Sequence, residues 1–189
     1  NLDLSYKKII FYSEGKIYDH FFYPFVKSCI KNNIKFCYLS SDYEEPFNIK
    51  NDNYKFFFIG KSYLRTYLFY TLKCENLITT TPDIGNYYLK RSENLKNLIY
   101  FHHSMCGLIA QQNFNALSHY DTILCSHKKH YEELLDYKFK NPKVKLIKFG
   151  YPKIDEISDN IKKNFQERKK VEKILIAPSW GNEKKDYQI

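Results

Sequence analysis

Leu98-Ile99-Tyr100-Phe101-His102-His103-Ser104 is the stretch on which the reading of this chain turns. Four apolar residues in a row, three of them β-branched or aromatic and without polar alternation, are what a strand buried on both faces of a parallel sheet requires. The run then delivers two imidazoles and a hydroxyl into a turn, ahead of an amphipathic segment from Leu108 to Leu117. In open α/β sheets, ligands collect where strands end at their carboxyl edge, because side chains and free helix N–H groups converge there. Imidazole titrates near neutral pH, so a histidine in that place can take a proton from a hydroxyl. Adjacent residues of a strand point to opposite sides, so one of the pair is expected to serve packing or a backbone hydrogen bond.

Working outward, the same pattern recurs. Strands are expected at Ile9 to Tyr12, Phe36 to Leu39, Phe56 to Ile59, Leu77 to Thr80, Leu98 to Phe101, Thr122 to Cys125, Val144 to Phe149 and Ile174 to Ala177. Between them lie segments long enough for helical crossovers. Tyr18, Phe21, Phe22, Phe25, Val26, Cys29 and Ile30 recur three and four apart and lay one apolar stripe along a helix, with Pro24 expected to delay its start or bend it. Lys61 to Lys73 reads as a second helix, with Tyr63, Tyr67, Phe69 and Tyr70 beside Arg65; a membrane surface or core packing would account for such a segment, and its thin polar face favours the core. Lys128 to Tyr137 reads as a third, capped by Ser126. The fold class is therefore α/β: a Rossmann-like parallel sheet with helices on both faces.

Composition narrows the class. The chain has 189 residues, enough for a substantial core, and no apolar run of the roughly 20 residues that span a bilayer. No signal peptide is visible, so a cytoplasmic protein is expected. The cysteines at 29, 37, 74, 106 and 125 are odd in number, widely spaced and set in apolar runs, which fits reduced core thiols. His127 and His130 lack an acidic or cysteine partner at a useful spacing, so capping or solvated roles are expected and no metal or cofactor. The net charge of +9 comes from scattered lysines in a chain rich in Asn, Ile, Tyr and Phe. It reads as compositional drift from an AT-rich coding sequence. No nucleic-acid partner is expected, only a modest attraction to phosphorylated ligands or an anionic membrane surface.

Three loops hold candidate binding groups. Ser13-Glu14-Gly15-Lys16 follows the first strand and has one glycine where a dinucleotide fingerprint has three. Thr79-Thr80-Thr81 ends the fourth strand with three hydroxyls, and Gly150-Tyr151-Pro152-Lys153-Ile154-Asp155 makes a constrained exit from the seventh. Asp159 to Lys170 has seven charged residues among twelve, and reads as a linker or exposed helix. The expected organisation is a first domain over 1–158, a charged linker over 159–172 and the start of a second α/β domain over 173–189. The chain opens at Asn1 and stops just after the eighth strand, so it reads as part of something longer.

These landmarks resemble the amino-terminal half of the CDP-glycerol glycerophosphotransferase family, enzymes of teichoic acid and capsule synthesis with two Rossmann-like domains in the GT-B arrangement. The family has an apolar strand ending in histidine and a small residue, matched by His103-Ser104. It has a Gly-Tyr-Pro-Arg-x-Asp exit motif, matched by Gly150 to Asp155 with Lys153 in place of arginine. It opens its second domain on Ala-Pro-Thr-Trp or similar, matched by Ala177-Pro178-Ser179-Trp180. Where the family commonly continues its histidine motif with Gly-Thr and a nearby lysine, this chain has Ser104-Met105-Cys106-Gly107, so acceptor or transferred group can differ.

The resemblance implies transfer of a polyol phosphate from a CDP-activated donor to a hydroxyl of a surface polymer or lipid-linked acceptor, at the inner face of the cell membrane. His103 is then the base or acceptor-positioning group, with His102 second. Ser13, Glu14, Gly15, Lys16, Thr79, Thr80 and Ser104 face the acceptor, and Ser179 and Trp180 face the donor. Two other readings stay open: a GT-B glycosyltransferase or UDP-sugar 2-epimerase-like enzyme using a nucleotide sugar, and a non-catalytic α/β binding module.

Overall fold

The computed structural model describes residues 3–44, 49, 51–87, 89–105, 114–140, 142–164 and 176. Seven strands make one all-parallel sheet: β1 (Ile9–Ser13), β2 (Phe36–Ser40), β3 (Tyr54–Phe58), β4 (Cys74–Thr79), β5 (Leu95–Phe101), β6 (Thr122–Cys125) and β7 (Lys145–Lys148). Their order across the sheet is β3-β2-β1-β4-β5-β6-β7. The chain builds outward from β1 in one direction, crosses back, and builds from β4 in the other. The switch point therefore lies between β1 and β4.

Among the described residues four α-helices cover the two faces: α1 (Asp19–Lys31), α2 (Tyr63–Thr71), α3 (Lys128–Lys140) and α4 (Pro152–Asn164). On one face Phe22 and Val26 of α1 pack on Phe11, Phe36 and Tyr38. α4 lies beside α1. On the other, Phe69 of α2 and Leu134 of α3 pack on Tyr12, Leu39, Leu77, Leu98, Tyr100 and Ile123. This is the doubly wound, Rossmann-like arrangement expected from the run of strands without polar alternation.

Several boundaries depart from the sequence reading. β4 and β5 each begin three residues earlier, because the polar entries Cys74-Glu75-Asn76 and Leu95-Lys96-Asn97 pair in register despite their composition. There Asn97 donates to Asn76 at 3.0 Å and Thr122 donates to Asn97 at 3.1 Å, a side-chain ladder that replaces apolar packing at the amino edge. β3 starts and ends earlier than expected, and β7 is two residues shorter. Pro24 does not delay the start of α1, which begins at Asp19 and carries the proline inside it at the cost of a single internal bond.

The aromatic residues of α2 were expected in the core, and this is corrected: Phe69 is buried, but Tyr63, Tyr67 and Tyr70 stand in solvent. The cap of α3 is also corrected. His127 rather than Ser126 supplies it, Nδ1 accepting the His130 N–H at 3.1 Å. α4 runs straight through residues 158 and 159, so the charged stretch begins as a helix. Of the expected segment 108–117, only a 3-10 turn at Phe114–Leu117 is described. The eighth strand falls outside the described residues, except Ile176, which is exposed and in no strand. Cys29, Cys37, Cys74 and Cys125 are buried free thiols, and Cys106 lies outside the described residues. Burial pushes the thiol of Cys74 up to about 12 and those of Cys37 and Cys125 to about 11, so all three stay protonated at neutral pH. Among the described residues no helix is long and apolar enough to cross a membrane.

Candidate functional site

The carboxyl edge of the sheet carries two groups of side chains. One surrounds the switch point. The loop after β1 leads to α1 on one face, while the segment after β4 sends Ile84 into the core of the other, so the two diverge at the place where open α/β sheets take ligands. Tyr12, at the end of β1, is fully buried and its Oη lies 3.1 Å from Ser41 Oγ after β2. Arg65 reaches in from α2 and its Nη1 donates to Tyr12 Oη at 3.4 Å. Burial raises the Glu14 carboxyl above its ordinary value, against the opposing pull of Arg65 and Lys61.

The other group is the histidine edge. His102 is fully buried on the α3 side, with Nδ1 3.2 Å from Tyr100 Oη and its ring 5.1 Å from that of His130. His103 points to the α1 side, half-buried between Tyr18 at 5.3 Å and Phe21 at 5.5 Å. The alternation of a strand thus separates the two imidazoles onto opposite faces. Burial lowers the affinity of His103 for a proton, and the nearby His20 lowers it further, so the ring is neutral at pH 7 and able to accept one.

Tyr18 joins the two groups. It closes the short 3-10 turn Lys16–Tyr18 that follows Ser13-Glu14-Gly15, and so brings the β1 loop against His103. The exit motif converges on the same point. Gly150 has φ +92°, a conformation that favours glycine, and the chain then turns so that Tyr151 Oη donates to the His103 carbonyl at 2.8 Å. Lys153 lies 5.0 Å above the Phe21 ring. The histidine and exit motifs, some fifty residues apart in sequence, are therefore parts of one local structure.

The remaining expected residues divide. The Ser13 hydroxyl donates to the Gly15 carbonyl and accepts the Gly15 N–H, and Thr79 Oγ1 accepts the Thr81 N–H, so both hydroxyls shape their own loops. Thr80 is buried. Lys16 is exposed, its ammonium 3.6 Å from Glu44 and its N–H on Asp42. Ser104 lies half-buried beyond His103. Ser179 and Trp180 lie outside the described residues. Residues the sequence reading missed are Arg65, Tyr18, Tyr151 and His130. Arg65 carries one available signal, as the single charged residue within α2.

Of the seven buried side-chain polar atoms without a hydrogen-bond partner among the described residues, four lie in these two groups: Arg65 Nε, Thr81 Oγ1, His103 Nδ1 and His130 Nε2. Such atoms cost stability unless a ligand or solvent meets them, which makes this edge the candidate site. His130 is locked as one tautomer, because its Nδ1 accepts the Ser126 N–H at 3.2 Å and the proton must sit on Nε2. His127, whose Nδ1 caps α3, holds its Nε2 3.1 Å from the Met105 carbonyl and ties the helix to the loop after β5. Among the described residues no group of three or more His, Cys, Asp or Glu side chains could hold a metal ion.

Comparison of the chain with protein-family models, with curated proteins and with solved structures gives no match. What stands is a class: a Rossmann-like α/β domain with a group of polar side chains at its switch point and two histidines at the neighbouring strand end.

Proposed function

We propose that this chain is the acceptor-side domain of a GT-B-type transferase that moves a polyol phosphate from a CDP-activated donor to a hydroxyl of a surface polymer or lipid-linked acceptor, working in the cytoplasm at the inner face of the membrane. The observation that carries the reading is His103: a neutral imidazole with a buried, unpartnered Nδ1, at the carboxyl edge of a central strand and against Tyr18 of the β1 loop. The acceptor hydroxyl loses its proton to His103 as its oxygen attacks the donor phosphorus. The bond from that phosphorus to the cytidine monophosphate oxygen breaks, and the nucleotide leaves. Arg65 and Thr81 offer donors to the acceptor at the switch point, and Tyr18 and Tyr151 hold the base in place. Ser179 and Trp180 belong to the donor side.

A sugar transferase of the same architecture is a second reading, favoured by Glu14, whose raised carboxyl at the switch point is an alternative base. Incubating the full-length enzyme with CDP-glycerol and, separately, with UDP-sugars decides between them. Turnover of CDP-glycerol that falls by about 10²-fold or more in His103→Ala supports the first reading. Turnover of UDP-sugars alone, sensitive to Glu14→Gln, supports the second. Consumption of neither donor leaves a non-catalytic binding module.

A further inference from the structure

We propose that the outward face of α2 is a docking surface for an anionic lipid bilayer. It deepens the membrane location in the reading above, and uses none of the transfer chemistry. Tyr63, Tyr67 and Tyr70 are spaced four and three apart and so share one side of the helix. They are 91%, 68% and 69% exposed, and Leu64 beside them is 61% exposed. Three tyrosines of this nine-residue helix are turned away from the core together, which makes a patch rather than residues scattered singly. The helix is anchored from below by buried Phe69 and by the Arg65 bond to Tyr12, which leaves the three rings on its outer side.

The chemistry of the face selects lipid. Tyrosine has an apolar ring and a polar tip, the combination that settles at the headgroup level of a bilayer. Residues 61–73 contain Lys61, Arg65 and Lys73 and no carboxylate. Lys61 is near Asp42 and Glu14, and Arg65 turns inward, so the excess positive charge lies toward Lys73. A second copy of this +9 chain would bring the same cations against each other, whereas anionic headgroups complement them.

The test is co-sedimentation of the 189-residue chain with vesicles of phosphatidylcholine alone and of phosphatidylcholine mixed with phosphatidylglycerol, without nucleotide. Binding to the anionic vesicles is expected, weakened by added salt, and roughly tenfold or more weaker in Tyr63→Gln/Tyr67→Gln/Tyr70→Gln. Tyr87→Gln, which removes an equally exposed tyrosine elsewhere, leaves binding unchanged. Circular dichroism and a thermal melt check the fold. Should the triple variant not fold, Tyr67→Gln alone reads the same effect as a loss of about two- to threefold. No binding to anionic vesicles, binding that survives loss of the tyrosines, or a concentration-dependent dimer abolished by the same substitutions overturns the proposal. Vesicle binding and donor turnover are scored separately, so either reading can fail without the other.

Discussion

His102 and His103 are neighbours in sequence with opposite surroundings, and replacing each by alanine separates packing from chemistry. His102 is fully buried, touches the rings of Tyr100 and His130, and has Nδ1 3.2 Å from the Tyr100 hydroxyl. Truncation to alanine leaves a cavity that rigid neighbours fill poorly, and takes a partner from that hydroxyl, a combined loss of about 3 kcal/mol. For a domain of this size that is a fall of roughly 6 to 12 °C in Tm. His103 is half-buried and its Nδ1 has no partner, so truncation relieves one unsatisfied atom while losing ring contacts to Tyr18 and Phe21. Its net loss is about 1 kcal/mol, or roughly 2 to 4 °C. Urea and thermal unfolding of both variants measure the difference, and turnover in the full-length enzyme should show the reverse ranking. Equal stability losses, or His103→Ala being the more damaging to the fold, would refute the opposite-face reasoning. A His103→Ala enzyme with unchanged turnover would refute its role as base.

Two further outcomes follow from the same edge and its support. His130 is held by burial at about 4 in the folded protein, against about 6.5 for a free imidazole, so between those values the unfolded chain binds more protons. Stability is fully present above pH 6.5 and is lost as pH falls toward 4, by at most about 3 kcal/mol, and the urea midpoint of His130→Gln should decline less steeply over that window. Asp121 accepts the Leu98 N–H at 2.7 Å and pairs with Arg91 at 2.7 Å, at the start of the histidine strand. Asp121→Ala leaves that N–H unmet and should cost about 2 to 3 kcal/mol by urea unfolding, whereas Arg91→Ala, losing a partly exposed ion pair and its bonds to the His119 and Leu95 carbonyls, should cost less, about 1 to 2 kcal/mol.

Much of the sheet was legible because a doubly buried parallel strand needs apolar residues at every position, and Ile9 to Tyr12, Phe36 to Leu39 and Thr122 to Cys125 supply them. The amino ends of β4 and β5 were not legible, since Asn76 and Asn97 are depleted in strands in general and are accommodated only by bonding to each other across the sheet. The aromatic content of α2 misled for a related reason. Tyrosine is compatible with core and surface alike, and periodicity cannot tell which when apolar residues surround the helix on nearly every side. Of the site, His103 and the β1 and β4 loops were found by their position after strands. Arg65 was not, because α2 is brought over β1 by a crossover that no local pattern encodes.

By itself the sequence determined the class of fold, the identity of the strand that ends in histidine, and the opposite facing of its two imidazoles. All three depend on local covalent geometry and on the burial each side chain demands. Tertiary structure decided what those groups meet. The strand order put the switch point between β1 and β4, Tyr18 and the exit motif closed around His103, and the Ser126 N–H chose the tautomer of His130. Each of these joins residues from different elements, at separations set by how helices and strands pack rather than by any residue's own preference.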